Sequence, residues 1–331
     1  MIGIRSAAVR PRTVAALALV ATTSGLGMLA LTAPASAGLT TYCEGSAGAV
    51  TVPGDLVVAA GKSCTLDGTK VTGGVTVQAG ANLVITGGEF SGGVTVGADG
   101  FFDAQNTKIA GDVVLNDAYG SFLSGAPIGG SVKVSPAAGS ERVTYTFVQG
   151  VNVKGGVSST TGEFYAENST VDQSVTGTGV KYLDLSGVVV GKDLTVSGAA
   201  QGSVFCAGEV YGNASFTGNA GTLQLGADGP VLGCTQASYW GGNLTVSDNN
   251  ADVRVSNNIV RGNLAGTGNS PAPTGENNRV RGTVSGQFEN LQASASAMAA
   301  RSADRSSSAE AKLEQRRAEA RAEAGVQRAA L

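Results

Sequence analysis

Residues 71–115 read VTGGVTVQAGANLVITGGEFSGGVTVGADGFFDAQNTKIAGDVVL, and one pattern comes round three times within them. An apolar residue is followed by three Gly-rich or polar residues, an apolar residue, one spacer and another apolar residue. Val71/Val75/Val77, Phe90/Val94/Val96 and Ile109/Val113/Leu115 carry it at a spacing of 19. Working outward, the first positions run Val52, Val71, Phe90, Ile109, Ile128, Phe147, Val171, Val190, Val210, Trp240, Val260 and Val280, spaced 19, 19, 19, 19, 19, 24, 19, 20, 30, 20 and 20. The second and third positions alternate with outward residues at the period of a strand.

Each unit is then a short strand, a Gly-containing turn and another short strand. That is too little to bury its own apolar side, so the units must stack and lend their cores to one another. Stacking like on like makes every strand parallel, and parallel crossovers are overwhelmingly right-handed. The expected fold is all-β: a right-handed parallel β-helix (solenoid) of about 12 rungs, at ~4.8 Å per rung a rod of roughly 55 Å. A leucine-rich repeat would need a Leu skeleton and a helical return segment, and a propeller blade about twice the length.

The period breaks twice. The unit starting at Phe147 runs five residues long, and the one starting at Val210 about ten, with the excess placed in Gly226 to Ser238. Such insertions must loop out of a turn, because a strand absorbing them would lose register. Cys234 lies in the second insertion and Cys206 at the corresponding turn of the rung before, so a Cys206–Cys234 bridge is expected. Cys43, ahead of the first counted rung, is expected to meet Cys64 and close the N-terminal end.

The chain ends define three segments. Residues 1–37 hold Arg5, Arg10 and Arg12, an apolar stretch from Val14 to Leu31, and Ala35-Ser36-Ala37 before Gly38, which reads as a secretory signal peptide. Residues 38–291 are the β-helix. Residues 292–331 form an Ala/Glu/Arg-rich tail in which Leu313, Val326 and Leu331 fall on no heptad and like charges recur at i,i+4, so a frayed, solvated helix or a disordered tail is expected. No membrane span is expected after signal cleavage. Four cysteines in an exported chain favour disulfides, and the absence of His excludes His-based triads and the usual zinc spheres.

From 38 to 291 there are 12 Lys plus Arg against 20 Asp plus Glu, a net charge of −8; the tail has 7 against 5. An acidic body argues against nucleic acid and strongly anionic polymers as partners. Catalytic residues and metal ligands are not evident, and no cofactor is expected. The expected function is a secreted, non-catalytic extracellular or cell-wall-associated scaffold or binding protein; the alternative, a polysaccharide lyase or glycoside hydrolase of pectate-lyase-like fold, would need converging carboxyl groups or a base beside acids holding Ca²⁺. The nearest cases are Asp99 with Asp117, and Asp228, Asp248 and Asp252 around the insertion. None of the NTD, DD or RIK triplets of pectin-degrading hydrolases occurs. Arg254, Arg261, Arg279 and Arg281 cluster in the last rungs, with Arg261 and Arg281 at one repeat position. They are candidates for an acidic glycan or, as the plainer reading, partners of Asp252 or Glu276. Asn219, Asn249 and Asn269 share a repeat position and suggest a structural Asn ladder. Tyr239 could stack on a sugar ring, while Trp240 occupies a core position. The partners expected are cell-surface or extracellular polysaccharide, or a second copy of the chain.

Gly262-Asn263-Leu264, Gly268-Asn269, Pro271-Ala272-Pro273-Thr274-Gly275 and Gly286-Gln287 resemble the C-terminal signature of exported actinobacterial proteins of unassigned function, GNL-x-C-x-GN-x-PAPTG and GQC. The likeness covers about 35 residues closely. Gly266 and Phe288 stand at or beside the two cysteines of that signature, so the resemblance implies a Gram-positive exported origin without that terminal bridge and says little about activity. The rungs also look like those of bactofilins, cytosolic polymers whose compartment conflicts with the signal peptide and cysteines.

Overall fold

A computed structural model describes residues 38–227, 229–293, 305–325 and 331. The expected signal peptide, residues 1–37, lies outside the described residues. From Gly38 the chain is a parallel β-helix with three walls. Sheet A has thirteen strands, from Thr40–Tyr42 to Val284–Gly286, and sheet B eleven, from Gly45–Ala47 to Asn250–Ser256. Sheet C comes in runs of four and seven strands, joined where Ile128 bridges Ile109 and Val153. One rung visits C, A and B in turn, as in Lys70–Val71, Val75–Val77 and Asn82–Thr86.

Register is kept from rung to rung. Val75, Val94, Val113 and Val132 form one column, each directly paired with the next, and the inward residues build one continuous apolar core from Cys43 to Phe288. The corners explain much of the Gly content. Between sheets A and B the chain turns through a left-handed residue in successive rungs, with φ of 66° at Gly80, 56° at Asp99 and 54° at Asp117. Gly enters that conformation at little cost, and Asp and Asn tolerate it better than other side-chain-bearing residues. At the C-to-A corner the constraint is proximity: a Cβ on Gly92 would lie 2.6 Å from the Gly73 carbonyl oxygen of the rung below.

Two sequence expectations need correction. The sixth rung begins at Val153/Val157 and not at Phe147/Val151: Val153 continues the Ile128 column and Val157 the Val132 column. Both pairs fit the apolar-x₃-apolar spacing. In the strand Tyr145–Gln149, however, Thr146 and Val148 point inward and Phe147 outward. The excess residues accordingly fall at 136–144, before this strand.

The second concerns the tail, where the expected helix forms but is docked instead of frayed and solvated. Arg305–Ala324 is a helix, α1, docked lengthwise on the outer face of sheet B, with Ala309, Leu313, Ala320 and Ala324 buried. Its contacts run from Asp184 and Tyr182 at the Arg305 end to Ser63 at Glu323. Nineteen helical steps at 1.5 Å cover ~29 Å, and the six rung spacings from Tyr182 back to Ser63 cover about the same. The missing large apolar residues on α1 are supplied by the rod.

Both expected disulfides form. Cys43 and Cys64 join with Cα atoms 5.7 Å apart, and Cys206 and Cys234 at 6.2 Å. The second holds the insertion against sheet B, where Val204, Cys206, Ala227 and Cys234 make a small cluster of their own. Buried Gln224 assists by accepting from the N–H groups of Val231 and Leu232, each at 3.0 Å.

Candidate functional site

Among the described residues, α1 and the insertion cover much of sheet B, and sheets A and C are the more open walls. On sheet C, Arg279 follows Ile259 and Tyr239 in one column, while Arg261 and Arg281 lie two residues along in the next. All three arginines are exposed, and among the described residues none has a carboxylate within ion-pair distance. The nearest polar contact is Arg261 Nη1 to the Tyr239 hydroxyl, a long 3.5 Å. Tyr211 stands in the Arg261 column two rungs earlier and is 56% exposed. Its phenol is held above its ordinary pKa by a hydrogen bond to the Glu209 carboxylate and by that group's charge. This stacked Arg–Tyr strip can offer fixed donors to carboxylate or phosphate groups and ring surface to a sugar.

Arg254 does not belong to the strip. It projects from Asn250–Ser256 on sheet B, pairs with Asp252 at 2.9 Å and is largely buried. Seven residues before Arg261 in a rung of twenty is another wall.

The acids have mostly structural employment. Asp99 and Asp117 occupy the left-handed corner, and Arg142 spans them at 2.8 and 3.6 Å. Asp248 stands at the same corner, with φ of 55°. Asp252 is taken by Arg254. Asp228 lies outside the described residues. Among those described, no group of three or more His, Cys, Asp or Glu is placed to hold a metal ion.

A cleft of about 350 Å³ opens where the start of α1 meets the rod, lined by Glu163, Lys181, Tyr182, Gln201, Arg305 and Lys312. Its carboxylate is committed: Glu163 receives Lys181 at 2.6 Å and the Tyr182 hydroxyl at 3.0 Å. Burial, reinforced by the charges of Glu163 and Asp184, keeps that phenol protonated by raising its pKa.

The Asn ladder is a stack of amides inside the corner. Asn219 Nδ2 donates to Asn249 Oδ1 at 2.9 Å, Asn249 Nδ2 to Asn269 Oδ1 at 2.8 Å, and Asn269 Nδ2 to Gln287 Oε1 at 3.0 Å. Its members are fully engaged and buried. Trp240 is also fully buried, its indole N–H donating to Asn258 Oδ1 at 2.8 Å.

Sequence reasoning missed two groups. Tyr211 gives little signal in the sequence, because the same repeat position holds Gly241 and Arg261 in the next two rungs. On sheet B, the outward column Asp103, Phe122, Phe147, Tyr165, Asp184 went unnoticed, although its spacings of 19, 25, 18 and 19 are the repeat itself. No family model, curated protein or solved structure matches the chain.

Proposed function

We propose that the chain is a non-catalytic, exported, cell-wall-associated scaffold that binds a surface glycan bearing sparse acidic groups through the Arg–Tyr strip of sheet C. The observation that carries this reading is the contrast between the walls. The candidate acids Asp99, Asp117, Asp248 and Asp252 are engaged in corners or ion pairs, whereas Arg261, Arg279 and Arg281 are stacked, exposed and without an ion-pair partner beside two tyrosines. Two disulfides support an oxidising destination, and no helix of the described residues is long and apolar enough to cross a membrane. The signal peptide and the likeness to actinobacterial exported proteins support a Gram-positive cell surface.

The test is sedimentation of the mature chain with purified walls and with uronate polymers, with and without Ca²⁺, alongside absorbance of unsaturated products and reducing ends. Wall binding that drops at least tenfold in Arg261→Ala/Arg281→Ala, with no turnover of the uronate polymers, is the expected result. Turnover abolished by Asp228→Ala would replace the scaffold with a polysaccharide lyase.

A further inference from the structure

The wall beneath α1 is shaped to measure a helix. Phe122, Phe147 and Tyr165 stack in one column, with ring centroids 5.1 and 5.0 Å apart. Rings stacked along the rod present edges outward, which suits small side chains and guanidinium groups better than a flat sugar. Two carboxylates bracket the stack: Asp103, fully buried, at one end and Asp184 at the other. Arg317 pairs with Asp103 while lying 4.4 Å from the Phe122 ring centre; Arg305 pairs with Asp184 at 3.0 Å and lies 4.7 Å from Tyr182. The two arginines are twelve residues apart, ~18 Å of helix. The two aspartates are four rungs apart, ~19 Å of sheet.

Between these anchors Leu313 enters a hole made by Gly120, where an added Cβ would lie 3.0 Å from Leu313 Cδ2. The wall therefore reads a pattern: Arg, then Leu eight residues on, then Arg four further.

The rod does not need α1 for its core, which contains none of its residues. Nor is α1 an optimal ligand. Arg305 puts a cation at a helix N-terminus, and like charges repeat at i,i+4, so its helix is held mainly by the wall. Docked, it leaves Arg305 Nε and Arg317 Nη2 buried without hydrogen-bond partners, and burial raises the Asp103 pKa even beside Arg317. Twelve residues, 293–304, separate Gln292 at the end of the rod from Arg305 in sequence, so α1 is tethered to the rod at high local concentration.

We infer that the sheet B wall is a docking groove for a basic helix of a partner protein with the Arg-x₇-Leu-x₃-Arg spacing, and that α1 occupies it as an internal competitor. This uses a different wall from the glycan strip and stands whether or not that strip binds sugar.

The probes are two labelled peptides: residues 305–325 of this sequence, and an Ala/Gln helical host bearing only Arg, Leu and Arg at the same spacing. The full mature chain with Arg305→Glu/Arg317→Glu should bind both at least tenfold more tightly than the unaltered chain, whose groove is filled. Adding Asp103→Asn/Asp184→Asn should remove the gain. Failure of the host peptide to bind the opened chain, or binding indifferent to the two aspartates, overturns the inference. Should the opened chain lose its β-sheet circular dichroism, hydrogen exchange on the unaltered chain decides. Excess host peptide must then accelerate exchange across 305–324 while the rod stays protected, and unchanged exchange overturns it.

Discussion

Replacing Asn249 by Ala tests how far the amide stack secures the C-terminal rungs. Asn249 is 1% exposed, and its Oδ1 accepts both the backbone N–H of Asn219 and its Nδ2, each at 2.9 Å. Its Nδ2 donates to the Phe216 carbonyl at 3.0 Å and to Asn269 Oδ1 at 2.8 Å. Truncation leaves the Asn219 backbone N–H and one of its two amide hydrogens without an acceptor, the other amide hydrogen keeping the Val196 carbonyl at 3.1 Å; at about 1–3 kcal/mol for each lost partner, the expected loss is roughly 2–6 kcal/mol. Asn269 Oδ1 retains the Asn249 N–H at 3.3 Å, which is why it is left out of the sum.

Because solenoid rungs couple mainly to their neighbours, the loss should be local. The single tryptophan, Trp240, belongs to the same rung and is fully buried, so its fluorescence reports on that region. In urea, with the disulfides intact, the Trp240 transition of Asn249→Ala should move to markedly lower denaturant, while exposed Asn250→Ala stays within about 0.5 kcal/mol of the parent. Asn249→Asp should lose stability at neutral pH, since it keeps the acceptor but turns an oxygen toward Phe216 O and Asn269 Oδ1. An Asn249→Ala transition coincident with the parent's would refute the premise that these amides are mutually dependent.

Leu313→Ala should release α1 and leave the rod alone: exchange protection across 305–324 falls while the Trp240 midpoint stays put, and a shifted midpoint would count against two separable clusters. Cys206→Ala/Cys234→Ala should cost about 2–4 kcal/mol. The damage should show as protease cleavage confined to 227–237, and cleavage spread along the rod would contradict a pinning role. Acid titration should separate two carboxylates of opposite sign. Burial raises Asp103, so its contribution is fully present below the unfolded Asp pKa and is lost as pH rises through the folded value. Asp112 is lowered by hydrogen bonds from Lys133 and the Ser131 N–H, so its contribution is present above the unfolded pKa and lost as pH falls through the folded value. Followed by urea midpoints from about pH 7 to pH 3, Asp103→Asn should steepen the loss of stability on acidification and Asp112→Asn should flatten it. Equal slopes would sink the assignment.

The columns of the rod were legible because a stacked repeat writes its contacts into one period: Val75, Val94 and Val113 are neighbours because they are 19 apart. Legibility failed where two frames satisfied the same spacing. Phe147/Val151 and Val153/Val157 are both apolar-x₃-apolar, and only the pairing of Ile128 with Val153 chooses. It failed again at α1, where hydrophobic periodicity was sought in Leu and Val. The buried positions 309, 313, 320 and 324 follow helical spacing, but three of the four are Ala. Small residues suffice because Phe and Tyr side chains project from the opposite surface. The Arg strip was half legible: a common repeat position stacked Arg261 with Arg281, whereas sequence proximity wrongly drew in Arg254 from another wall.

Net charge averages over groups that are not equally available to a partner. A balance of −8 over 38–291 treats all charges as equally available, yet Asp99 and Asp117 are bridged by Arg142, and Asp103 and Asp184 are neutralised by α1. At physiological ionic strength, screening confines an exposed charge to about 8 Å, roughly two rungs. A ligand on sheet C therefore meets Arg261, Arg279 and Arg281 with Glu209 nearby, and little of the rest. The long-range field still disfavours a densely charged polyanion such as nucleic acid, whose binding depends on many phosphate contacts. A polymer with an occasional acidic group escapes most of that repulsion while each of its charges can meet an unpaired guanidinium, which is the discrimination expected of a strip this short on a rod this acidic.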